Sequence, residues 1–190
     1  MPNVNAPRGL VPLRKLGGGT ISQTAYSIDP TYATAIFKGD AVSGTGTGRN
    51  IAKSAAGATA NCGVFVGCSY TDATGKPAWS KHWPGIADGK KDIVAHVVDD
   101  PDVIFEIQAD SCAAAEVGLM CDWNTGTGNT ASGLSGAYAV LGGTVAVAGG
   151  SLKVLGLVNR PDNEYGAYAK IEVLLIEHVN RGVIAGVGGV

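Results

Sequence analysis

The chain has 190 residues and a formal net charge of −2; glycine supplies 29 positions, and charged residues make up 16% against a usual ~25%. That balance argues against a helical bundle, because glycine weakens helix interiors and the charges that solvate helices are scarce. A hydrophobic share of 45% excludes a wholly disordered chain, and the near-neutral charge excludes a nucleic-acid binder working through bulk positive charge.

Residues 1–30 carry Pro2, Pro7, Pro12 and Pro30 and the run Gly17-Gly18-Gly19, with no sustained period of either kind. Proline removes ladder donors and glycine raises the entropy of ordering, so the expectation is an extended arm that adds little to the body. Val4, Leu10, Val11, Leu13 and Leu16 give it apolar points for adhesion along a neighbouring subunit, and Arg8, Arg14 and Lys15 give it cations for a partner's acidic groups. A frayed terminus is the alternative. Pro2, Asn3, Asn5, Pro7 and Arg8 also stand where a signal peptide needs an apolar run, and no apolar stretch of ~18 residues exists. The chain therefore reads as soluble, unexported and without a membrane partner.

Residues 31–180 form the predicted body. Short β-type runs alternate with Gly, Asn and Asp punctuation, the pattern of an all-β domain. Strands are expected over 32–38, 62–70, 92–98, 103–108, 138–147, 152–158 and 169–178, with a loop over 44–50. Residues 92–98 are apolar on both faces and predict a central strand; Val103, Phe105 and Ile107 alternate with Ile104, Glu106 and Gln108, a half-buried one. The stretch from Asp110 to Leu119 is the single helix candidate. Residues 124–136 are too polar for core and long for a hairpin connection. The result is an antiparallel β-barrel or jelly-roll-like β-sandwich of about eight strands, followed by a Gly-rich tail over 181–190.

The chemistry-bearing residues are sparse. Cys62, Cys68, Cys112 and Cys121 have neither zinc-ribbon nor disulfide-scaffold spacing and read as reduced core thiols, with Cys62 and Cys68 on one face of a regular strand. His82, His96 and His178 fall in three different elements, His178 on a solvated strand end. Asp99, Asp100 and Asp102 around Pro101 lack the spacing of a calcium loop and read as a turn. The connection from Asn159 to Gly166 is polar and of mixed charge, able to pair with a partner surface. No phosphate loop, nucleophile elbow or metalloprotease motif is present, so neither an enzyme nor a cofactor is expected. Trp79 and Trp83 lie in an aromatic loop that reads as packing or as a subunit contact. A second reading is a carbohydrate- or ligand-binding module, with Tyr70, Trp79, Trp83 and Trp123 as a stacking platform.

Five stretches carry a resemblance: residues 1–12 (MPNVNAPRGLVP), 37–40 (FKGD), 63–67 (GVFVG), 99–108 (DDPDVIFEIQ) and 155–164 (LGLVNRPDNE). Together they resemble the capsid decoration, or cement, proteins of tailed bacteriophages, across nearly the whole chain. The resemblance implies a non-enzymatic virion protein made in the host cytoplasm, docked on the capsid exterior and bound to the major capsid protein. It also implies self-association, a homotrimer before a dimer, and no nucleic-acid partner. A tail-associated structural protein is the neighbouring alternative.

Overall fold

A computed structural model describes residues 3–58, 60–86, 88–142 and 150–181. Its strands are β1 (Val11–Lys15), β2 (Thr24–Ser27), β3 (Ile36–Phe37), β4 (Ala41–Gly44), β5 (Ile51–Lys53), β6 (Asn61–Thr71), β7 (Pro77–Ser80), β8 (His82–Trp83) and β9 (Lys91–Val98). They continue as β10 (Val103–Gln108), β11 (Ser111–Cys112), β12 (Met120–Asn124), β13 (Tyr138–Val140), β14 (Leu152–Leu157), β15 (Gly166–Ala167) and β16 (Lys170–Leu175). The helix candidate reduces to one 3-10 turn, Ala114–Glu116, and a second closes the described chain at Val179–Arg181. The protein is all-β and antiparallel as expected, with more and shorter strands than the eight anticipated.

Sheet one runs β1-β10-β16-β14-β12-β13, and sheet two runs β2-β9-β6-β4-β5 with β7 also paired to β6. Two small ribbons, β11-β15 and β3-β8, complete the set. The sheets pack as a sandwich; among the described residues no continuous ladder closes either into a barrel, although Ala139 of β13 bridges back to Ala109 at the end of β10. The large core gathers Phe105, Ile107, Leu152, Val154, Ile171 and Val173 of sheet one against Ala41, Val64 and Val98 of sheet two. The other face of sheet two carries Val42, Phe65, Cys68, Ala95 and Val97 into a second core, closed by Ile28, Ile36 and Trp83. Sheet two is thus a middle layer, which explains why the β9 stretch reads as apolar on both faces and why β6 is buried along most of its length.

Regular alternation does not run the length of β6. The register against β9 shifts between Phe65 and Gly67, so Phe65 and Cys68, three apart, enter the same core, while Val64 and Cys68, four apart, enter different ones. A bulge inserts one residue and inverts the side-chain parity beyond it, so the shared face expected for Cys62 and Cys68 does not follow.

Two further expectations change. Residues 1–30 are not a detached arm: β1 pairs with β10, β2 with β9, and Leu10 and Ile28 enter the two cores. Consequently β10 is buried on both faces, Ile104, Glu106 and Gln108 included, and is not half-buried. The turn through Asp99–Asp102 and the polar connection after β14 lie as expected between strands. Apart from Arg181, the predicted tail lies outside the described residues.

Candidate interaction site at the N-terminal strap

Residues 3–16 form a strap stapled to the body at almost every step. The Asn3 amide donates to the carbonyls of Glu164 and Ala167 at 2.8 and 2.9 Å. Gln108 accepts from the Ala6 N–H at 2.8 Å and donates to Asn5 Oδ1 at 2.9 Å. Arg8 and Arg160 each place a nitrogen 2.6 Å from a different oxygen of Glu106, whose side chain is 2% exposed. A buried carboxylate needs such charge-assisted partners, and two guanidinium groups satisfy both its oxygens.

Beyond Arg8 the chain turns into β1. Gly9 has φ +71° there, and a Cβ would lie 2.3 Å from the Gly39 carbonyl oxygen; only glycine permits this crossing. Leu10 then donates to Gly39 at 2.9 Å, and Gly39 and Asp40 exchange backbone bonds with Phe65. Pro12 is tolerated because β1 is an edge strand, and the register shift between Pro12 and Arg14 leaves Leu13 as the extra residue. Arg14 pairs with Glu172 at 2.6 Å and Lys15 with Asp100 at 2.5 Å. The Lys15 pair holds the Asp100 carboxyl below the ordinary carboxylate range and raises the Lys15 ammonium.

The contact residues expected from the sequence therefore divide. Val4, Leu16 and Trp79 project outward, at 69%, 58% and 55% exposure. Val11 and Leu13 are half-buried along the strap, and Arg8, Arg14 and Lys15 are engaged with carboxylates of their own chain. Leu10 and Trp83 are core residues, not contact residues, because the large core takes the first and the second core the other. Trp83 is fully buried and donates its indole N–H to the Tyr32 carbonyl at 3.2 Å. Trp123 lies in the large core, so Tyr70, Trp79, Trp83 and Trp123 do not assemble into a platform.

The sequence missed Glu106 and Arg160 as partners. Their signal was an acid inside a strongly apolar strand, which demands a buried cation from elsewhere. Arg160 meets its carboxylate within the chain and not on a partner surface.

The remaining titratable groups are structural in their surroundings. All four thiols are buried and unbridged, and burial pushes Cys68 and Cys112 up to about 11 and Cys121 to about 12, which suppresses the reactive thiolate. Among the described residues no group of three or more His, Cys, Asp or Glu side chains is placed to hold a metal ion. His82 stacks on Phe37 with ring centroids 5.4 Å apart, and His96 Nε2 lies 3.2 Å from the Ser69 hydroxyl. His178 is 4% exposed, against the solvated end expected of it, because the turn at Val179–Arg181 folds over β6 and the Asp99–Asp102 turn.

The five stretches that carry the phage resemblance are scattered in sequence but adjacent in space. The strap lies on residues 103–108, Leu10 meets Gly39, residues 39–40 bond Phe65, Arg160 completes the Glu106 clamp and Asn3 holds Glu164. No protein family, curated protein or solved structure matches the chain.

Proposed function

We propose that the chain is a non-enzymatic structural protein of a tailed-phage virion that docks, as a homo-oligomer, on the outer surface of the head and stabilises the shell. The observation that carries this reading is the convergence just described: the stretches resembling decoration proteins form one continuous unit around the strap. Val4 and Leu16, exposed at its two ends, supply apolar contacts with the major capsid protein worth about 1.5–3 kcal/mol each when fully buried. Arg14, more than half exposed although paired with Glu172, adds a cation that exchanges partners at little cost, since an exposed ion pair contributes only ~0–1 kcal/mol.

The test is co-sedimentation with undecorated phage heads. The wild-type chain is expected to pellet with heads, and a Val4→Ser/Leu16→Ser/Arg14→Ser variant to remain in the supernatant while keeping the wild-type melting temperature. A wild-type chain that stays soluble beside the heads overturns the reading, as does a triple variant that binds equally well.

A further inference from the structure

A cleft of about 390 Å³ opens beside the strap, within the ~300–1,000 Å³ range of small-molecule sites. Four distant parts of the chain build it: Asn5 and Pro7 of the strap, Asp110 beyond β10, Thr127 of the β12–β13 connection with Tyr138 at the start of β13, and Tyr168 just after β15. Its back is held rigid by the two arms of that connection. At Gly126, φ is +54° and a Cβ would fall 1.9 Å from the Gly136 carbonyl oxygen, so only glycine lets the arms close.

Tyr168 stands in the left-handed region at φ +59°, a conformation that non-glycine residues rarely adopt and that recurs at ligand clamps. Its backbone N–H donates to the Asp110 carbonyl at 3.0 Å, fixing the residue, while the side chain stays 39% exposed at the cleft. Nothing in the packing of the body requires a tyrosine at a position glycine would occupy without strain.

The polar groups are partly committed and partly open. Asp110 Oδ1 accepts the N–H groups of Ser111, Leu141 and Gly142, whereas Oδ2 has only a 3.2 Å share of Gly142. Among the described residues the Asn5 amide nitrogen, the Thr127 hydroxyl and the phenols of Tyr138 and Tyr168 have no protein partner. The lining holds no lysine or arginine, which disfavours phosphates and carboxylates. Aromatic and proline surface beside neutral donors and one carboxylate oxygen matches a ring with an apolar C–H face and an edge of hydroxyl groups.

We propose that this cleft binds a neutral pyranose unit of a glycan. The sugar's C–H face lies against the tyrosines, and its hydroxyls pair with Asn5, Thr127 and Asp110 Oδ2. This inference is independent of the capsid reading and places the sugar site away from the tryptophans.

Saturation-transfer NMR on the full chain with a panel of methyl glycosides and short neutral oligosaccharides, at millimolar concentration, tests it. At least one is expected to receive saturation. Tyr168→Gly, which removes the ring and the strain together, is expected to weaken that ligand about tenfold while the melting temperature holds or rises. Thr127→Val, which keeps size and loses the hydroxyl, gives the same direction without touching the backbone. Absence of transfer across the panel overturns the proposal, as does binding that survives both substitutions.

Discussion

The strap and the β7–β8 segment are the two regions whose sequences look adhesive, and each hides one bulky residue and shows another. Leu10 is 2% exposed and Leu16 58%; Trp83 is fully buried and Trp79 55% exposed, its ring lying over Gly67. What holds the two regions differs. The strap is fixed by charge and amide pairs to residues about a hundred positions away, with one leucine driven inward, whereas the β7–β8 segment is fixed by its ladders to β6 and β3 and by packing around a single tryptophan. A segment poor in periodicity is therefore not a free segment when the body carries buried polar groups that lack partners without it.

The largest expected effect breaks the strap itself. Deleting residues 1–15 removes β1, exposes both the Leu10 site and the outer face of β10, and leaves Glu106 with Arg160 alone. Leu10 by itself is worth about 2–5 kcal/mol, and the loss of ladder and clamp carries the total past ~5 kcal/mol, a large part of a typical domain's stability. The truncated chain is expected to lose its cooperative melt by circular dichroism; a preserved melt would show the strap to be detachable.

Single substitutions sharpen the contrast. Trp83→Ala is expected to cost about 3–5 kcal/mol in urea denaturation and Trp79→Ala under about 1 kcal/mol. Along the strap, Glu106→Gln breaks a clamp whose carboxylate is buried but whose guanidinium groups are partly exposed, expected at about 1.5–3 kcal/mol, while Glu172→Gln breaks an exposed pair, expected below about 1 kcal/mol. Equal costs within either pair would mean that burial does not separate the two members.

A smaller effect comes from pH at the turn that receives Lys15 from the strap and Arg181 from the 3-10 turn at Val179–Arg181. Burial lowers the His178 pKa, opposed by nearby Asp99 and Asp100 and reinforced by Arg181. His178 Nδ1 also accepts the Asn180 N–H at 3.1 Å, which requires the neutral ring. With the folded value below the unfolded ~6.5, the contribution is fully present above that pH and is lost as pH falls through the folded value. Stability measured from pH 7.5 downward is expected to decline below about 6.5, and His178→Gln to flatten that part of the profile. The smallest effect belongs to Leu16→Ser, expected within about ±0.5 kcal/mol because nothing in the body depends on that side chain.

The strands with long apolar runs were legible: β10, β14 and β16 fall within stretches read from the sequence, β6 overruns its stretch by one residue at each end and β9 by one at its start, and together they form the centres of both sheets. Among the short ones, β3 and β13 lie within expected stretches but β1, β8 and β15 were not read. β1 contains a proline and a bulge, β8 has two residues, and β15 contains a glycine, so tertiary pairing and not local propensity creates them. Of the site, the apolar ends Val4 and Leu16 were legible as exposed points. The clamp was not, because its three members lie at positions 8, 106 and 160 and no local pattern links them. Trp79 and Trp83 could not be told apart, since four residues with a turn between them carry no fixed facing.

The Glu106 clamp also dictates an order of events during synthesis. Arg8 leaves the ribosome first, its carboxylate follows 98 residues later, and Arg160 comes 54 residues after that. At ~5–20 residues per second the opening segment waits roughly 10–30 s before both anchors exist, so the first part made is among the last to settle. Contacts of such long sequence separation slow refolding as well, because both loops must close before the clamp can form.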